Sequence, residues 1–255
     1  MPAATISETF INAGALGGCT LVRAFNQRRD YGHWFQRTYL SGRKPDMFYT
    51  GGAAPGGPVG GLAMLGAHTG TYGGVCWAMS MHWILRHSRG LDFWGWIDTP
   101  GGISTIINLQ MRTRRFPGAL QLDQLGSAPE RAQGAPSGRL VEEEVLGADG
   151  MVRIGTTEGE TQDRLIAALQ KVTDYGLVGM FFRGLPIGHA IVVHAPDRSG
   201  PLTVFDPNGG EVRFTDREKA NLFLYRLFYQ TAYAVVRRWR IHGYGETLGL
   251  TRLFG

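Results

Sequence analysis

Apolar residues recur at helical spacing in WAMSMHWILRHSRG (residues 77–90): Trp77, Met81, Ile84 and Leu85 share a face, and Gly90 supplies a C-terminal stop. The pattern predicts a helix opening at about Cys76. A second helical pattern runs through TTEGETQDRLIAALQKVTDYG to Gly176, with Leu165, Ile166, Leu169 and Val172 facing inward. Three strand-like runs follow, LVGMFF, GHAIVVHA and PLTVF, the last two separated by the turn residues PDRSG. After DPNGG comes a short strand, EVRF. Thr215 and Glu218 then predict a capping box opening a helix through about Gln230. AYAVVRRWRIH reads as a final strand. Helices first, then an antiparallel meander, then a helix predict an α+β fold.

The flanks are less regular. Residues 1–50 read as an N-terminal extension to a domain at residues 51–255, with a single domain overall as the alternative. Within the extension, LVRAFNQRRDYGHWFQRTYL is the helical portion and SGRKPD its exit. Ten glycines in residues 51–74 exclude a regular helix or strand, while Val59, Leu62, Met64 and Leu65 favour a loop packed on the body. SAPERAQGAPSGR (residues 127–139) is polar and rich in Pro, Gly and Ser, so an exposed loop is expected.

Composition narrows the functional classes. The 255 residues are 43% hydrophobic and 18% charged, a globular rather than disordered balance. A net charge of +5 would suit an acidic partner or peripheral association with an anionic membrane. The basic residues are dispersed and carry no recognition motif, so nucleic-acid binding is not expected. Two cysteines, Cys19 and Cys76, make no disulfide framework or zinc motif and are read as reduced. No apolar run is long enough to span a bilayer. Leu16-Gly17-Gly18-Cys19 resembles a lipoprotein box but lacks the basic and continuous apolar segments of a cleaved signal peptide. There is no HExxH, no paired His/Cys spacing and no phosphate-loop Lys, so neither a metal nor another cofactor is expected.

The first turn of a helix favours a thiolate, because unpaired N–H groups and the helix dipole stabilise negative charge. Gly73 and Gly74, just before Cys76, would let backbone approach a substrate closely. A lone cysteine is nevertheless most often a buried hydrophobe, so a partner is needed. His189 opens a strand, and Asp206 emerges at the tip of the next one. Adjacent antiparallel strands can set such a pair side by side, with the carboxylate orienting the imidazole. His194 lies five residues on and faces the other way. His82 and His87 point away from the helix start, and His33 and His242 lack an obvious third group.

Taken in order, GVCWAMSMHWI, GHAIVV and FDPNGGEVRF resemble the YopT/AvrPphB-like family of papain-fold cysteine proteases. Ala78, Ser80 and Trp83 match the residues after the family's nucleophile. His189-Ala190 matches its histidine strand, and Phe205 to Asn208 with Gly210 matches its aspartate turn. The resemblance covers about residues 70–215. It implies a papain-like fold, the helical part with the Cys packed on an antiparallel sheet bearing His and Asp. It implies a Cys76-His189-Asp206 triad acting on a protein substrate in a host or target cell, with delivery by a specialised secretion system. The family's side-chain oxyanion donor has no match, since positions 70 and 71 are Gly70 and Thr71; Thr71 Oγ, the His68 ring or a backbone amide would take its place beside the Cys76 N–H. Two alternatives share the constellation: a deamidase or transglutaminase-type acyl transferase, and a non-catalytic binding module with a vestigial triad.

Overall fold

The structure, a computed structural model, describes residues 5–27, 30, 75–114, 138–182 and 188–246. Its centre is a seven-stranded sheet in the order β1-β6-β5-β4-β3-β7-β2, antiparallel at every pairing. The strands are β1 (Cys19–Ala24), β2 (Met151–Gly159), β3 (Asp174–Phe182), β4 (Gly188–Ala195), β5 (Leu202–Asp206), β6 (Gly210–Phe214) and β7 (Val236–Glu246). The helices are α1 (Ile6–Ile11), α2 (Cys76–Ser88), α3 (Phe93–Ile97), α4 (Pro100–Arg114), α5 (Gly138–Gly147), α6 (Gln162–Leu169) and α7 (Arg217–Gln230). The result is the expected α+β architecture, with the helix that carries Cys76 packed on the sheet that carries His189 and Asp206.

Alternation along β3 to β6 sends side chains to two cores. Leu177, Ala190, Val192 and Phe205 pack under α2, α3 and α4. Val178, Ile191, Val193, Val204 and Val212 pack under α1, α6 and α7 on the opposite face. With both faces covered, β4 is buried over most of its length and reads as an apolar run rather than an alternation. Helix α2 is buried almost all round, well beyond the single stripe that its sequence suggests.

Residues 5–24 are built into this body. Strand β1 pairs with β6, and Phe10 of α1 is buried with its ring edge-on to Phe223 at 5.1 Å. The tight junction is at Gly209-Gly210. Gly210 has φ +115°, and a Cβ there would run into the Arg23 carbonyl; a Cβ on Gly209 would strike the Phe10 ring.

Several local expectations are corrected. Leu21–Ala24, expected to be helical, lie in β1, where pairing with β6 overrides local preference; residues 28–29 and 31–40 lie outside the described residues. The helix expected up to Gly176 is confined to Gln162–Leu169, opened by Thr161, whose Oγ1 accepts the Arg164 N–H. Thr156 and Thr157 belong instead to β2, paired with His242 and Ile241. At the other end Asp174, at φ 57°, turns the chain into β3. Helix α7 is capped by Asp216, not Thr215: its carboxylate accepts the Glu218 and Lys219 N–H groups, while Thr215 Oγ1 donates to the Gly18 carbonyl. The glycine-rich stretch 51–74 and most of 127–139 lie outside the described residues; Gly138 and Arg139 begin α5 rather than ending a loop.

Candidate active site

Cys76 is the first residue of α2 and 4% exposed. No side chain of Val75 caps the helix; the Val75 N–H donates instead to Gln27 Oε1 at 3.0 Å. Further along, Ser80 Oγ donates to the Ala190 carbonyl at 3.2 Å, which fastens α2 to β4 one residue past His189. Trp83 and Trp94 both donate their indole N–H to buried Glu211 Oε2, at 2.9 and 2.8 Å. Trp77, beside the cysteine, donates to Glu142 Oε1 at 2.9 Å.

Glu142 is fully buried and also accepts from His242 Nδ1 at 2.7 Å and Tyr244 Oη at 2.8 Å. Burial opposes its charge, but His242, Trp77 and Tyr244 together hold the carboxyl below the ordinary glutamate value.

His189 and Asp206 stand at the end of the sheet where α2 begins. The β4–β5 register pairs Val192 with Phe205 and Val193 with Val204, so Asp206 lies diagonally across from His189 on the same face. His189 Nε2 meets Asp206 Oδ1 at 2.8 Å, with the carboxylate fully buried. Asp206 Oδ1 also accepts the Asn208 N–H at 2.8 Å, and the Asp206 carbonyl closes the turn onto the Gly209 N–H. Asp206 Oδ2 accepts the Tyr233 hydroxyl at 2.8 Å, and the Tyr233 ring stacks on His189 at 5.3 Å. Nε2 is committed to Asp206, which leaves Nδ1 as the ring nitrogen for a further partner; a hydrogen bond and charge also link His189 to Cys76. Burial of the ring opposes its protonation, but Asp206 and Cys76 outweigh it and His189 is pushed up to about 10. Such a ring is poised to carry a proton beside a sulfur nucleophile.

The other described histidines are elsewhere. His87 Nδ1 bonds the Tyr175 hydroxyl at 2.8 Å, and the His87 and His194 rings lie 4.6 Å apart, on the α2 face. Burial holds both down, His87 to about 4 and His194 to about 3, with Arg213 adding to it. Of the expected site residues, Cys76, His189 and Asp206 converge; Thr71 and His68 lie outside the described residues. Tyr233 and Gln27 are participants that the sequence reading misses. Tyr233 follows α7 in a short 3-10 turn with no periodic signal, and Gln27 is masked by the helical appearance of its surroundings. Among the described residues, no three His, Cys, Asp or Glu side chains converge as metal ligands, and no helix is long and apolar enough to cross a membrane.

A family model described as Yersinia/Haemophilus virulence surface antigen, peptidase family C58, matches residues 60–240. The chain belongs to this family. The cysteine protease YopT of Yersinia enterocolitica is 29% identical over 173 residues, 65% of this chain and 53% of that protein. The YopT of Yersinia pestis is 29% identical over 187 residues, 68% of this chain and 57% of that protein. The chain thus spans little more than half the length of these curated relatives. Among solved structures, the Pseudomonas avirulence protein AvrPphB aligns over 69% of this chain and 93% of its own, with a TM-score of 0.47 and 16% identity. The matched span contains Cys76, His189 and Asp206.

Proposed function

We propose that this C58-family member is a cysteine protease of the papain-like kind, with Cys76 as nucleophile, His189 as acid–base and Asp206 as the group that orients His189. The observation that carries the reading is the His189 ring, bonded through Nε2 to buried Asp206 and coupled to Cys76 at the start of α2. His189, pushed up to about 10 with Asp206 and Cys76 beside it, is the proton carrier of the pair. The Cys76 thiolate attacks the peptide carbonyl carbon, and the carbonyl oxygen gathers the negative charge beside the N-terminal end of α2, where the helix dipole favours an anion. Collapse of that intermediate breaks the C–N bond, and His189 gives its proton to the leaving amine. Water then attacks the thioester, His189 takes a proton from it, and the thiolate is released with the new carboxylate. Asp206 keeps the imidazole in the right tautomer throughout.

The substrate is proposed to be a protein of a host or target cell, reached through a specialised secretion system, as family resemblance implies. A proteome-derived peptide library treated with the wild-type chain and with Cys76→Ala tests the reaction class by mass. New termini made by the wild type alone are expected. A gain of about one dalton on intact peptides would replace proteolysis by deamidation, since the acyl-enzyme chemistry is shared.

A further inference from the structure

We infer that Gln27 is a positioning residue: through Asn208 it keeps the His189 proton directed at Cys76, an inference that rests on the proposed triad. Gln27 is 6% exposed and lies between the start of α2 and the Asp206 turn. Its Oε1 accepts the Val75 N–H at 3.0 Å, and its Nε2 donates to Asn208 Oδ1 at 2.8 Å. Its backbone N–H donates to the Pro207 carbonyl at 2.7 Å. Asn208 Nδ2 stands 3.5 Å from both His189 nitrogens and 3.5 Å from Tyr233 Oη.

The polarity of this bridge is dictated from one end. A backbone N–H can only donate, so Gln27 must show its oxygen to Val75 and its NH₂ to Asn208. Asn208 must then turn its oxygen toward Gln27 and its NH₂ toward the imidazole. With the amide in this sense, Asn208 offers its NH₂ and no oxygen to the imidazole, so it does not compete with the sulfur for the His189 proton. With the amide reversed, Asn208 Oδ1 would accept from the imidazolium and draw its proton away from Cys76. The Asn208 backbone is held independently, since its carbonyl accepts from Ser7 Oγ at 3.0 Å and Asn26 Nδ2 at 3.2 Å. A change at residue 27 can therefore turn the amide without moving the turn.

Gln27→Glu separates this role from simple support. Its carboxylate still accepts the Val75 N–H but presents an oxygen to Asn208, which favours the reversed amide. The readout is the rate at which iodoacetamide alkylates Cys76 at pH 6 in the folded 255-residue chain, with peptide mapping to separate Cys19. Gln27→Glu is expected to slow Cys76 about tenfold, the scale of one hydrogen bond at a charged group. Adding Asn208→Ala, which removes the competing oxygen, is expected to restore the rate to within about threefold of wild type. If Gln27→Glu does not melt cooperatively, Gln27→Met, of the same length and without an amide, takes its place with the same expected loss and rescue. A wild-type rate in the single variant, or a double variant as slow as the single, overturns the inference. A wild-type Cys76 that reacts no faster than in urea overturns the triad instead.

Discussion

Tyr233→Phe removes one oxygen from the far side of the aspartate and leaves the ring that stacks on His189. The Tyr233 hydroxyl donates to Asp206 Oδ2 at 2.8 Å, and the carboxylate is fully buried. A hydrogen bond to a buried charge is worth about 1.5–3 kcal/mol, so a loss of about 2 kcal/mol is expected. For a chain of this size that lowers the melting temperature by about 4–8 °C. The effect on the site has the opposite sense. With one donor fewer sharing its charge, Asp206 pulls harder on His189, which bonds the other oxygen. The imidazolium should persist to the same or higher pH. Urea unfolding measures the first effect, and ¹⁵N NMR of the labelled histidine ring measures the second. A stability change below about 0.5 kcal/mol, or a His189 titration that moves to lower pH, would refute the reasoning.

Three further outcomes are expected. Asp206→Asn removes the leading charge that holds His189 as a cation, so the ring should titrate below the value of about 10 in the unaltered protein. Because that folded value is raised, its stabilisation is complete below about pH 6.5 and lost as the pH climbs toward 10; urea unfolding at the two ends should show the variant losing less. Glu142→Ala strips a fully buried carboxylate from Trp77, His242 and Tyr244, which should cost about 3–5 kcal/mol in denaturant unfolding. Gly210→Ala puts a Cβ against the Arg23 carbonyl at a φ of +115°, and about 3 kcal/mol should be lost by the same assay.

Where local pattern and tertiary environment agree, the fold is legible from sequence. The runs Leu177–Phe182 and Gly188–Ala195, and the helix opening at Cys76, lie where periodicity and turn residues put them. His189 and Asp206 could be paired in advance because the strand order is a simple meander and the side-chain period of two sets their common face. Long-range pairing defeats the same reading elsewhere. Thr156 and Thr157 look like a helix approach until β7 pairs with them, and Leu21–Ala24 look helical until β6 does. Gln27 and Tyr233 were invisible for a different reason. Each acts through a hydrogen bond to a residue far along the chain, Val75 and Asn208 for one and Asp206 for the other, and no periodicity encodes such contacts.

The most direct test of the central claim is to map new protein N-termini in target cells expressing either the wild-type chain or Cys76→Ala. The account expects a discrete set of cleavages in the wild-type cells that is absent with Cys76→Ala. The same cleavages in both, with the variant folded and equally abundant, would contradict a Cys76 nucleophile.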